Sequence, residues 1–204
     1  MKINRKKFIY LISPNKITNS FYNDLKLILK TRKVSFFQLR LKSYSQSKKM
    51  IIGEKIKNIC KKNKVKFIIN DDSLLSLKLN ADGCHLGQKD MNIKVAKKIL
   101  SKKIIGITCH NSMNLAKKAI KAKADYIAFG AFNQSKTKKI KYVASVKILN
   151  KIKKFTKIPT VAIGGINAVN YKNLLLNKAN FLAISGYIWK NKKYKPLQAI
   201  ERLK

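Results

Sequence analysis

Eight short apolar runs recur along the chain: Phe8–Ile12, Phe36–Leu39, Phe67–Ile69, Gly83–Leu86, Ile104–Thr108, Tyr126–Phe129, Thr160–Ile163 and Phe181–Ser185. Each is apolar nearly throughout, the pattern of strands buried on both faces of a parallel sheet. Between them lie Asn19–Leu29, Ser47–Asn63, Asn92–Leu100, Ser112–Lys121, Tyr142–Phe155 and Val169–Leu176. Apolar residues in these stretches fall at i, i+3, i+4 and i+7, as with Met50, Ile51, Ile52, Ile56, Ile59 and Cys60, and this predicts helices. Asn19, Ser73, Asn92 and Ser112 stand where N-caps belong. Eight strand–helix alternations in 204 residues allot about 25 residues to each unit. The prediction is one α/β domain over residues 1–204, a (β/α)8 TIM barrel. An open doubly wound sheet alternates too, but the count of eight and the lack of G-x-G-x-x-G after the first run favour closure.

Charge is the next constraint. The chain holds 47 Lys+Arg against 8 Asp+Glu, a formal net charge of +39, which raises a polyanionic partner. Its 46% hydrophobic content excludes a disordered basic tail. The lysines spread over nearly every predicted helix, while the aromatics sit mainly inside strands. A nucleic-acid surface would cluster basic residues with aromatics between them. Lys, Ile and Asn also share A/T-rich codons, so base composition accounts for much of the excess. The expectation is a solvated coat and no specific nucleic acid.

Cys60, Cys84 and Cys109 are odd in number, widely spaced and without a C-x-x-C, which argues against disulfides and zinc. Phe8–Ile12 is too short for a signal-peptide core, and no window nears the roughly 18 apolar residues of a membrane span. A soluble protein in a reducing, cytoplasmic setting, with no membrane partner, is expected.

A barrel enzyme builds its site on the loops that follow its strands. After the second run comes Gln38-Leu39-Arg40-Leu41-Lys42, where alternation sends Gln38, Arg40 and Lys42 to one side. Arg40 stands out because Arg5, Arg32 and Arg202 are the only other arginines, and its rigid fork suits phosphate or carboxylate. Asn70-Asp71-Asp72 follows the third run and Gly87-Gln88-Lys89-Asp90 the fourth, so three of the eight acids fall in two neighbouring loops. Asp71 and Asp90 suit Mg²⁺, a hard cation that takes oxygen ligands, whereas Asp72 is also placed to cap the helix at Ser73. Thr108-Cys109-His110-Asn111-Ser112 follows the fifth run; Thr108 or Ser112 caps the next helix, and either hydroxyl suits an anion. His85 and His110, the two histidines, read as packed and hydrogen-bonded as readily as catalytic. Beyond the sixth run a long loop carries Ser135, Thr137 and Lys138, the makings of a phosphate clamp. Gly164-Gly165 and Ser185-Gly186 close the last two runs, where barrels commonly bind phosphate through backbone N–H groups.

In this order and spacing the segments resemble the thiamine-phosphate synthase family, which includes the TenI-like tautomerases. The resemblance runs from about Phe8 to Trp189 and rests on Gln38-Leu39-Arg40-x-Lys42, Ile69-Asn70-Asp71, Ala81-Asp82-Gly83-x-His85-Leu86-Gly87-Gln88-x-Asp90, Ser135-x-Thr137-Lys138 and Ala162-Ile163-Gly164-Gly165-Ile166. It implies a transferase of thiamine biosynthesis that joins 4-amino-5-hydroxymethyl-2-methylpyrimidine diphosphate to a thiazole phosphate, releasing pyrophosphate. By the same resemblance Arg40, Lys42, Asn70, Thr108 and Lys138 hold the pyrophosphate, and Asp71 and Asp90 hold Mg²⁺. Gln38 contacts the pyrimidine, and Ser135, Thr137, Gly165, Ser185 and Gly186 hold the thiazole phosphate. Arg40, Lys42, Thr108 and Lys138 thereby carry the catalytic burden of stabilising the leaving group. The chain departs from the family in Leu41, where Glu is usual, in Gln134-Ser135 for Pro-Thr, in Thr108 for Ser, and in a one-residue shift of the Ser185 position.

Two other readings remain in view. A TenI-like thiazole tautomerase would use His110 for proton transfer, but such proteins tend to lose the acidic pair and first-loop contacts that this chain retains. A lysine-rich nucleic-acid-binding barrel would show a steep salt dependence of duplex binding.

Overall fold

The structure is a computed structural model describing residues 7–133 and 141–204. Eight parallel strands close a barrel in sequence order: β1 (Ile9–Ile12), β2 (Val34–Leu39), β3 (Lys66–Asn70), β4 (Gly83–Leu86), β5 (Ile104–Thr108), β6 (Tyr126–Gly130), β7 (Thr160–Ile163) and β8 (Phe181–Ile184). The helices are α1 (Phe21–Lys30), α2 (Gln46–Lys62), α3 (Ser73–Lys78), α4 (Ile93–Leu100), α5 (Met113–Lys121), α6 (Lys147–Lys153), α7 (Tyr171–Leu176), α8 (Gly186–Trp189) and α9 (Pro196–Glu201). None of them is long and apolar enough to cross a membrane.

Period-two alternation sorts each strand between two cores. Tyr10, Ile12, Phe36, Ile68, Tyr126, Ala128, Val161 and Phe181 fill the barrel interior. Their neighbours Ile9, Leu11, Phe37, Leu39, Phe67 and Ile69 join the larger cluster against the helices. Both strand faces are therefore apolar, which is why the runs read as continuous rather than alternating.

The end of the barrel opposite the site is laced by a repeated clamp. Asp82, Asp125 and Asn180 stand immediately before β4, β6 and β8. Each gives its own N–H to the preceding strand, at Phe67, Ile105 and Thr160, and accepts that residue's N–H on its side chain at 2.8–2.9 Å. A lysine completes each clamp: Lys66, Lys97 and Lys153, at 2.7, 2.9 and 2.6 Å. Three members of the basic coat thus have structural partners.

The local expectations hold at two caps and fail at others. Asn92 accepts from Lys94 N–H and Ser112 from Leu115 N–H, as the sequence implies. The α3 cap is Asp72, whose carboxylate accepts from Leu75 N–H, so Ser73 is the first helical residue rather than the cap. Ser20, not Asn19, precedes α1; its backbone is already helical, which keeps its hydroxyl from reaching back over the first turn. The helix expected over Tyr142–Phe155 forms only over Lys147–Lys153. Tyr142 and Ala144 exchange backbone hydrogen bonds with Ala131, which holds that segment extended. Val169 falls outside α7 because the Asn167 side chain accepts from the N–H groups of Val169 and Asn170, forming a turn. On α2, Ile56 and Cys60 face the barrel while Ile51 is exposed.

Candidate active site

The C-terminal ends of β2, β3 and β4 bring the scarce acids to the scarce arginine. Arg40 is half-buried, and the loss of solvent lowers its pKa while the charge of Asp71 raises it. Lys42, farther out and exposed, sets its Nζ 3.2 Å from Asp71 Oδ2. Leu41 between them turns inward and is buried. Asn70 ends β3, and Asp71 follows with φ of 66°, a left-handed conformation that Asp tolerates better than most residues. Its N–H donates to His85 O at 2.8 Å, which fixes the turn. Leu41, Lys42, Asn70 and Asp71 border a cleft of about 250 Å³.

Asp90 reaches the same place from the loop after β4, where its Oδ2 accepts from Gly87 N–H at 2.6 Å. Burial raises its pKa and the Asp71 carboxylate raises it further, against the lowering effect of that N–H. Two carboxylates in each other's field, with Lys42 Nζ beside them, present hard oxygen donors of the kind that fit a divalent cation such as Mg²⁺. No group of three or more His, Cys, Asp or Glu suited to a metal occurs among the described residues. A cation here would complete its shell with water or substrate oxygen.

Below the mouth a chain of polar side chains crosses the apolar interior. Gln38 Nε2 donates to Tyr10 OH at 3.1 Å. The Tyr10 and Tyr126 hydroxyls are 2.8 Å apart, Tyr126 OH is 2.9 Å from His85 Nδ1, and His85 Nε2 is 2.8 Å from Thr108 Oγ1. Gly106 makes the crossing possible, because a Cβ there would lie 1.9 Å from Tyr126 Cζ. Burial pushes both tyrosine pKa values up and that of His85 down to about 4, so all three are neutral at pH 7. Gln38 is buried within the barrel, with its amide turned to Tyr10.

The opposite rim is built on β7, β8 and β1. Gly164 and Gly165 take φ of 106° and 57°, and a Cβ on Gly164 would meet Ala131 Cβ at 2.4 Å. Ser185 Oγ donates to Ser13 O at 3.1 Å, so its hydroxyl proton is engaged within the protein. Gly186 opens α8 beside it. Ser13 Oγ also accepts from Arg40 N–H at 2.9 Å, so this buried serine ties the β8 rim to the arginine. Ser135, Thr137 and Lys138 lie outside the described residues. His110 takes φ of 50° and stacks on Tyr142 with ring centroids 4.2 Å apart; burial, then Lys141, lowers its pKa.

Ser13, Tyr10, Tyr126 and Gln88, whose amide donates to Thr108 O, were not singled out from the sequence. Tyrosines inside otherwise aliphatic strands, with a glycine in the strand between His85 and Tyr126, were the available signal. The cysteines supply no nucleophile. All three are buried, and burial pushes the Cys84 and Cys109 pKa values up to about 12.

The sequence model of a family described as thiamine monophosphate synthase matches residues 9–188. This chain belongs to the thiamine monophosphate synthase family. A thiamine-phosphate synthase of Pelagibacter ubique is 69% identical over 204 residues, covering 100% of this chain and 98% of that one. One from Erythrobacter litoralis is 38% identical over 196 residues, covering 94% and 92%. Among solved structures, the thiamine phosphate pyrophosphorylase of Pyrococcus furiosus superposes with a TM-score of 0.86 at 28% identity, covering 97% of this chain and 94% of that one. A 3-hexulose-6-phosphate synthase, at TM-score 0.65 and 13% identity, shares the barrel alone. Within the family, the fold and the order of strand-end loops agree with the expectation from sequence.

Proposed function

We propose that the chain condenses 4-amino-5-hydroxymethyl-2-methylpyrimidine diphosphate with a thiazole phosphate, giving thiamine phosphate and pyrophosphate. The observation that carries this reading is the meeting of Arg40 and Lys42 with Asp71 and Asp90 at one mouth, in a member of this family. Cations side by side with a carboxylate pair suit a diphosphate and its counterion, whereas a polynucleotide needs an extended basic track.

The reaction forms a bond from the thiazole nitrogen to the pyrimidine CH₂ and breaks the bond from that carbon to the diphosphate oxygen. Charge moves onto the leaving oxygen, and fixed donors aimed there lower the barrier. Arg40 supplies a bidentate fork, Lys42 a mobile point charge and Thr108 a hydroxyl donor. Lys138 is assigned by resemblance to the same pyrophosphate, and the hydroxyls of Ser135 and Thr137 to the thiazole phosphate, shared with Gly165 and the Ser185 and Gly186 amides. Asp71 and Asp90 would hold Mg²⁺, which when bound neutralises charge on the departing diphosphate. The apolar interior built on Ile12, Phe36, Ile68, Ala128, Val161 and Phe181 helps keep water from the carbon as it gains positive character.

His110 would be the base of a thiazole tautomerase, but its ring lies against Tyr142, and the acidic pair would have no task in that reaction. The deciding experiment mixes purified protein, the two phosphorylated precursors and Mg²⁺. Thiamine phosphate and pyrophosphate in equal amounts are expected. Absence of both where an authentic synthase turns over would overturn the proposal.

A further inference from the structure

The chain Gln38–Tyr10–Tyr126–His85–Thr108 draws its members from β2, β1, β6, β4 and β5, and it crosses the barrel through residues that the packing alone would fill with apolar side chains. We propose that Tyr10, Tyr126 and His85 are positioning residues that form a one-directional hydrogen-bond relay, presenting the Gln38 carbonyl oxygen and the Thr108 hydroxyl proton to the substrate. The proposal rests on the synthase reading for what that substrate is.

Direction follows from counting protons. With the Gln38 amide turned so that Nε2 faces Tyr10, the tyrosine oxygen accepts from it. Tyr10 has a single proton, and its remaining contact is the Tyr126 oxygen at 2.8 Å, so that bond runs from Tyr10 to Tyr126. Tyr126 then gives its proton to His85 Nδ1, which must be bare. The neutral ring carries its proton on Nε2 and donates to Thr108 Oγ1. Thr108 accepts inward, and its own proton has no acceptor among the described residues, so it points to the open end of β5. At the other terminus the Gln38 amide gives one of its two N–H protons to Tyr10, and Oε1 remains as an acceptor beside the second.

The threonine end of the relay thus meets the substrate in fixed polarity, and the bond to Tyr10 fixes how the glutamine amide is turned. A donor faces the leaving diphosphate, where negative charge grows, and an acceptor faces the ring that carries an amino group. Reversing the chain would turn the threonine oxygen's lone pairs toward the anion. None of the three central residues needs to touch substrate to have this effect, which separates them from the phosphate ligands Arg40 and Lys42.

The direct test is the tautomer of His85 in the intact protein, read from the ¹⁵N resonances of uniformly labelled protein at neutral pH, with His110→Gln used to assign the two rings. A protonated Nε2 and a bare Nδ1 are expected; a protonated Nδ1 would overturn the relay. This arm requires no turnover, so it stands or falls apart from the synthase assignment. The second arm is a kinetic cycle. Tyr126→Phe is expected to lower kcat by about 10- to 100-fold with KM for the diphosphate little changed, because a buried acceptor loses its donor. Combined with Thr108→Val, which already lacks the hydroxyl, Tyr126→Phe should add little, while Thr108→Ser should retain sensitivity to it. Losses that multiply independently in the Thr108→Val background would overturn the proposal.

Discussion

The hydroxyls of Tyr10 and Tyr126 lie 2.8 Å apart inside the barrel, although the residues are 116 positions apart in the chain. Gly106 holds that contact open, since a methyl group there would collide with the Tyr126 ring at 1.9 Å from Cζ. Gly106→Ala is expected to destabilise the fold by about 1–3 kcal/mol through overpacking. Thermal unfolding of the purified variant checks this, and an unchanged melting temperature would show that the ring can move aside.

At the mouth, Asp71 and Asp90 oppose one another electrostatically, and Asp90 has its pKa raised by burial first and Asp71 second. A raised carboxyl pKa opposes folding of the ionised form, so stability is greatest below the ordinary carboxylate range and falls as pH rises through the raised value. In chelator, Asp90→Asn should therefore melt higher than the parent at neutral pH. Added Mg²⁺ should raise the melting temperature of the parent and leave that of the variant nearly unmoved. Synthase turnover of the variant should fall by two orders of magnitude or more, on the order of the loss for removing a charge-stabilising group. A parent that ignores Mg²⁺ in both assays would remove the metal assignment.

The clamp at the far end of the barrel makes the opposite prediction about function. Asp125 accepts Ile105 N–H at 2.8 Å and pairs with Lys97 at 2.9 Å, far from the strand ends that carry chemistry. Asp125→Ala leaves that N–H without its partner and should cost about 1–3 kcal/mol. Activity per folded molecule should be unchanged below the melting transition, as titrated by denaturant unfolding alongside turnover.

His85 makes stability depend on acid. Its folded pKa is near 4 against 6.5 when unfolded, so the unfolded chain binds the extra proton between those values. Its contribution is fully present above about pH 6.5 and is lost as pH falls toward 4, amounting to about 1–3 kcal/mol. Urea unfolding of the parent and of His85→Asn across that range isolates the difference. Parallel pH profiles for the two proteins would refute it.

The barrel was legible in the sequence because burial on both strand faces leaves apolar runs that nothing else in a 204-residue chain explains. The strand-end loops followed from the same count; Arg40, Asp71 and Asp90 stood out there because the chain is so poor in arginine and acid, and Lys42 because alternation puts it on the side of Arg40. Helix bounds were less legible. Tyr142 and Ala144 lie in a stretch read as helical, yet they pair with Ala131, a competition decided by a contact from another loop. Nothing local to Ser185 announced that its hydroxyl would donate to Ser13 O, a partner 172 positions away in the chain.

Sequence alone thus determined the barrel, the order of its loops and the family, since these depend on periodicity and on residue types at fixed spacing. Tertiary structure alone decided which polar groups face one another across the interior. Tyr10 meets Tyr126 only because closure sets β1 and β6 on opposite sides of a space narrow enough for two rings, with Gly106 leaving the second ring its room. Hydrogen-bond partners at that range are chosen by barrel diameter and side-chain volume, and neither is a property of any short stretch of chain.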